Sequence, residues 1–253
     1  GTLFDRVLRM EWLASLFNEK LKTSQLYSIH LKRAAFFCKH DLVSQMVGEF
    51  PELQGIMGAK YLLAEGENRD VALAVLEQYL PRCQGDDLPQ SFVGSALALI
   101  ERLELLLSIF LTGERPSGSS DPYALRRAGN GILQIIWNQD WQINLVEFLT
   151  CSIDHWDNLF PNINTDSSKL LDDLMSFLHQ RIFSLLEESG TDIDLVQAVA
   201  GETIDDRRLL VDTTDVVKRL SLLEEMRKSN RLSEVQSVVK RASKLAEKVS
   251  LPL

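Results

Sequence analysis

Cysteine is scarce in this 253-residue chain. Cys38, Cys83 and Cys151 stand far apart, are odd in number, and form no CxxC pair. That spacing excludes a zinc ribbon and a disulfide framework, and it fits a reducing intracellular compartment. Histidine is scarce too, with only His30, His40, His155 and His179. No run of 18 uncharged apolar residues occurs, so no membrane span is expected, and no signal-peptide pattern opens the chain. The apolar–polar alternation of a half-buried strand is nowhere convincing. Internal repeats and low-complexity segments are missing as well. What is present is the composition of a globular protein, 45% hydrophobic and 25% charged, with length for one large or two modest domains. The chain begins at Gly1, as expected of a fragment or processed piece.

The chain also lacks an overall positive charge. Its formal net charge is −9, which argues against a uniformly basic nucleic-acid binder. The charge is uneven, however. Residues 207–249 hold eleven Lys/Arg and six Asp/Glu, a net +5, and leave −14 on the remainder. Such asymmetry points to a polyanion partner for the C-terminal part.

Helical periodicity fills most of the chain. An amphipathic helix is predicted over 3–22, and a second over about 25–39 behind a Thr23 or Ser24 cap. Val43, Met46, Val47 and Phe50 predict a helix packed on the core and stopped before Pro51. Val71 to Tyr79 predicts a helix ended by Pro81. Residues 92–112 are apolar on most sides, as a central buried helix requires. Asp121-Pro122 should start the next helix, with Asp as cap and Pro at the first helical position. Residues 138–168 are the least periodic and read as a short helix and a linker. Leu171 to Leu186 returns to strong periodicity and should stop at Gly190. Val216, Leu220 and Leu223 mark another helix, and Leu232, Val235, Val239, Ala242, Ala246 and Val249 the last. The expected fold is all-α, in two domains, 1–160 and 161–253, the second truncated.

The most unusual stretch runs from Cys38 to Gly58. It joins His40-Asp41 to Glu49-Phe50-Pro51-Glu52-Leu53-Gln54-Gly55-Ile56-Met57-Gly58. Two glycines in an otherwise apolar run allow close approach of another backbone or a ligand. A second unusual stretch is Pro116-Ser117-Gly118-Ser119-Ser120-Asp121-Pro122-Tyr123-Ala124-Leu125-Arg126-Arg127-Ala128. It is a hydroxyl-rich loop feeding a helix start, with two arginines one turn on. Free N–H groups and guanidinium groups suit phosphate or carboxylate, although Arg126 or Arg127 could equally pair with Asp121 and tie loop to helix. It is not a Walker A loop, because no Gly-Lys-Ser/Thr follows. In the C-terminal part, Lys218-Arg219 and Lys240-Arg241, with Lys244, sit beside apolar stripes and could meet RNA phosphates or simply form a solvated face.

Residues 46–58 and 116–128 both resemble signature runs of the bacterial-type glycyl-tRNA synthetase β subunit. Residues 239–245 are similar to the Lys-Arg helix of DALR-type anticodon-binding domains. The resemblance marks Glu49, Phe50, Pro51, Gln54, Gly55, Gly58, Gly118, Asp121 and Pro122 as family-motif positions. It implies an HD-like helical domain followed by a helical anticodon-binding-type domain, with a noncatalytic role in binding tRNA(Gly). The candidate contacts are Arg126, Arg127, Lys218, Arg219, Lys240, Arg241 and Lys244. The implied partner is the α subunit or a fused α region, which binds ATP and glycine; no cofactor or catalytic residue is implied for this chain. The implied location is the cytoplasm, or the stroma or matrix of an organelle of bacterial descent. The sequence departs from the family at His40, where Ala is usual, at Gln78, where His is usual, and at Glu101 and Glu104, where Asp is usual. The competing reading is a metal-dependent HD phosphohydrolase centred on His40-Asp41, for which no full ligand set is found. A helical scaffold without RNA binding is a third.

Overall fold

The computed structural model describes residues 1–83, 85–163 and 166–246. Among them the fold is all-α, with thirteen helices and no strand beyond one bridge between Ser117 and Ser120. The helices are α1 Leu3–Leu21, α2 Gln25–Phe37, α3 Gln45–Glu49, α4 Ile56–Ala64, α5 Arg69–Glu77, α6 Phe92–Leu111 and α7 Leu125–Asn138. They continue as α8 Leu145–Leu159, α9 Ser167–Glu188, α10 Ile193–Ala200, α11 Asp206–Val211, α12 Thr213–Lys228 and α13 Leu232–Ala246.

The predicted central helix is α6. Its residues are buried on nearly every side because α1, α2, α5 and α7 surround it. A helix apolar all round can be stable only when so enclosed. Helix α9 does the same for the second half, packing against α7, α8, α10 and α11. Buried apolar residues from Val7 to Leu220 form one core that runs through both halves. His179 ties α9 to its neighbours: Nδ1 faces Asp206 Oδ1, and Nε2 lies 2.9 Å from the Ala200 carbonyl.

Helix starts follow sequence chemistry. Thr2 and Asp5 form a reciprocal capping box on α1, and Ser24 accepts the Tyr27 N–H on α2. The structure corrects three local expectations. His40–Val43 is a 3₁₀ turn and Gln45–Glu49 a five-residue helix, with Val43, Met46 and Phe50 exposed and only Val47 buried. Helical spacing over so short a segment does not define a face. Helix α7 starts at Leu125 rather than Pro122; Asp121 still caps it, accepting the Leu125 and Arg126 N–H groups at 2.7 and 3.0 Å from four residues before its start. Helix α8 is longer than the aperiodic reading allowed, and α10 and α11 fill a region without predicted elements.

Helix α13 forms where its periodicity predicts, but most of its apolar stripe is uncovered: Leu232 packs against the core, Val235, Val238, Val239 and Leu245 are exposed, and α12 is its main contact. Val249, expected on the same stripe, lies outside the described residues.

Candidate nucleic-acid interface

The Cys38–Gly58 stretch is built around one carboxylate. Asp41 is fully buried, and its Oδ2 accepts the N–H of Gly55 at 2.7 Å and of Gly58 at 3.2 Å. It therefore caps α4 from a distance, where the first N–H groups lack helical partners. Gly55 has φ +81°, a left-handed conformation that favours glycine. A Cβ on Gly58 would stand 2.9 Å from Val75 Cγ1 and 3.0 Å from Asp41 Oδ2. The two glycines thus serve a carboxylate and a neighbouring helix. His40 Nδ1 lies 2.6 Å from the Phe37 carbonyl. Among the described residues, no group of three His, Cys, Asp or Glu is placed to hold a metal ion.

Beside this turn lies a charge network that centres on Lys39, a residue that no sequence pattern singles out. Lys39 is 4% exposed, and its Nζ reaches Tyr79 Oη at 2.9 Å, Gln78 Oε1 at 3.2 Å and Glu101 Oε1 at 3.3 Å. Arg6 Nη2 donates to Glu101 at 2.8 Å, and Arg6 Nε lies 2.7 Å from Glu104 Oε2. Arg9 Nε adds a bond to Glu104 at 2.9 Å. Burial disfavours the charge on Lys39, but Glu101, Tyr79 and Cys38 together outweigh it and hold the ammonium above its ordinary range. Burial likewise disfavours the Glu101 carboxylate, yet Lys39 and Arg6 bring it below its ordinary range. Gln78 donates to the Cys38 and Val75 carbonyls at 2.8 and 2.9 Å. Arg102 caps the chain end of α5, donating to the carbonyls of Gln78, Tyr79 and Pro81. Gly131 makes room for it, since a Cβ there would lie 2.4 Å from Arg102 Nε. Positions 78, 101 and 104 are thus spent on cohesion.

The candidate RNA contacts fall in two places. Arg126 and Arg127 open α7. Among the described residues their guanidinium groups take backbone carbonyls and no carboxylate: Arg126 donates to Gly118 at 2.8 Å, and Arg127 to Arg82 at 3.2 Å. Asp121 is occupied by N–H groups, so the expected alternative of an arginine–Asp121 pair is not formed. Around these arginines lie three concavities: two share Pro81, Ala124 and Arg127, and the third shares Arg126 with one of them. Together they are lined by Arg82, Arg102, Arg115, Arg126, Arg127 and Arg181, with Glu52, Glu101, Asp121, Asp173 and Glu188 among them.

The other place is the C-terminal pair of helices. Lys218 donates to Asp140 at 2.8 Å, which raises its ammonium above the ordinary range, and Arg219 pairs with Asp215. These two are neutralised in place. Lys240, Arg241 and Lys244 differ: all three are exposed on α13, with no ion pair among the described residues. Lys248, part of the same basic run, lies outside them.

The family described as glycyl-tRNA synthetase beta subunit matches residues 1–201. A glycine–tRNA ligase beta subunit from Synechocystis is 42% identical over 262 residues, covering 100% of this chain and 36% of that protein. The one from Trichodesmium erythraeum is 42% identical over 97% of this chain and 34% of its own. That from Clostridioides difficile is 34% identical over 98% and 34%. The chain therefore spans about a third of the length of these relatives. It belongs to the glycyl-tRNA synthetase beta subunit family.

Proposed function

We propose that this chain is a noncatalytic, tRNA-binding part of glycyl-tRNA synthetase that supports glycylation of tRNA(Gly). Residues 1–160 are assigned to an HD-like helical unit and 161–253 to the start of an anticodon-binding-type unit. The observation that carries the reading is Lys240, Arg241 and Lys244 standing exposed and unpaired among the described residues, on a helix whose apolar stripe is also mostly exposed. Cations kept out of ion pairs are free to neutralise RNA phosphates and release their counterions. ATP and glycine are assigned to the α subunit or fused α region as partner, and no cofactor to this chain. The engagement of Asp41 Oδ2 with two backbone N–H groups supports a structural role for the His-Asp pair over metal-dependent phosphohydrolysis. No helix among the described residues is long and apolar enough to cross a membrane; cytoplasm, or the interior of an organelle of bacterial descent, is the assigned site of action.

Titration of labelled tRNA(Gly) with the chain tests this reading. Saturable binding at low salt that weakens as salt rises supports it. No binding at low salt, with the chain folded by circular dichroism, refutes it.

A further inference from the structure

Where α7 meets α9, Arg126 and Arg181 line one cleft, and neither forms an ion pair among the described residues. Arg126 opens α7 and Arg181 sits in the middle of α9. Gly129 brings the helices close: a Cβ there would stand 2.9 Å from Phe177 Cε1 and 3.0 Å from Arg181 Cγ. Both guanidinium groups line a cleft of about 180 Å³ with Arg115, Asp173, Ser176 and Gln180. Arg115 is committed, donating to Asp173 at 3.2 and 2.9 Å and to the Phe110 carbonyl at 2.6 Å. Arg126 uses one N–H on Gly118. Arg181 has no ion pair and no hydrogen bond among the described residues; its Nε is buried unpartnered, and its guanidinium carbon lies 6.0 Å from the Phe177 ring centroid. Burial and then the charge of Arg126 push the Arg181 guanidinium below its ordinary range, and Glu188 and Asp121 offset only part of this.

Arg181 is half-buried, and its Nε has lost water without gaining a partner, so that part of the desolvation cost of binding an anion is already met by the fold. Arg126, which spends one N–H on Gly118 and keeps the others, lines the same cleft, and two guanidinium forks match the several oxygens of a phosphate by paired N–H bonds. Arg126 also lines the neighbouring concavity that holds Arg127, which suits a chain of phosphates better than a free one.

We propose that Arg126 and Arg181 jointly bind a backbone phosphate of the tRNA in this cleft. The proposal rests on the tRNA-binding reading, yet it concerns a different surface from α13. The test uses the full chain, tRNA(Gly), and Arg181→Met, which keeps a long apolar stem against Phe177. Arg181→Met is expected to melt as the wild type does, bind tRNA about tenfold more weakly, and lose about 0.7–0.9 from the slope of log K against log salt. Arg181→Lys, which keeps the charge but not the fork, should fall between. A lower melting temperature with unchanged affinity and slope would make Arg181 structural and overturn the proposal. So would unchanged binding by Arg181→Met alongside weakened binding by Lys240→Ala, Arg241→Ala, Lys244→Ala, an outcome that leaves the broader reading standing. Failure of the wild type to bind tRNA would overturn both. Inorganic phosphate supplies the last arm: protection of Arg181 by millimolar phosphate equal to that by tRNA would assign the cleft to the free ion instead.

Discussion

Glu101→Gln should destabilise the fold by breaking the network around Lys39. Glu101 is the acid that Lys39 Nζ meets at 3.3 Å and Arg6 Nη2 at 2.8 Å, with side-chain exposures of 3% for Lys39 and 15% for Glu101. Removing one partner of a buried ion pair typically costs about 3–5 kcal/mol, because the other charge is left uncompensated. Here the loss is reduced. Arg6 keeps Glu104, Lys39 keeps Tyr79 and Gln78, and the glutamine carbonyl still accepts. We therefore expect about 2–3 kcal/mol, a little below that range. At about 2–4 °C per kcal/mol for a chain of this size, the melting temperature should fall by about 4–12 °C. The pH dependence follows from the direction of each shift. Glu101 titrates below its ordinary value of 4.5, so the stability it contributes is present above that value and is lost as pH falls through its lower folded value. Lys39 is raised above 10.5, so its contribution is present below that value and is lost as pH rises through the higher one. Glu101→Gln should accordingly flatten the acid limb of the stability profile. Thermal melting by circular dichroism from pH 3 to 8, with Lys39→Met and the double variant, reads all of this. A Glu101→Gln variant that melts with the wild type, or a double variant whose loss equals the sum of the single ones, would refute the network as a coupled unit.

Two further outcomes are expected. Gly58→Ala should cost about 1–3 kcal/mol, because its Cβ must displace Val75 or the Asp41 carboxylate, and urea unfolding measures it; a loss below about 0.5 kcal/mol would show that the contact yields freely. Burial pushes the Cys38 thiol up to about 12, whereas Cys83 is exposed, so a thiol reagent at pH 8 should label Cys83 rapidly and Cys38 only on unfolding; equal rates would contradict the burial of Cys38.

The all-α fold was legible because apolar residues recur at helical spacing over long segments, most clearly in 92–112 and 171–186. Short elements escaped. Helices α10 and α11 have eight and six residues, too few turns for a periodic signal to separate from chance. The spacing of Val43, Met46 and Phe50 misled for the same reason. Two glycines in 55–58 signalled a close approach, but the approaching groups, Asp41 and Val75, come from elsewhere in the chain and only the fold brings them there. Lys39 was invisible because lysine is ordinarily a solvated residue, and nothing local marks the exception. Arg181 is one cation on an amphipathic helix; its meaning depends on Gly129 and Arg126, about fifty residues upstream. For α13 the stripe was read correctly as helical, but periodicity cannot say whether a face is covered.

The most direct test of the tRNA-binding account is the salt dependence of tRNA(Gly) affinity for the wild type and for the Lys240→Ala, Arg241→Ala, Lys244→Ala variant. Alanine preserves helix propensity, so circular dichroism should change little. Three lost phosphate contacts should lower affinity and flatten the slope of log K against log salt by about 2. An unchanged affinity and slope in the folded variant would contradict the account.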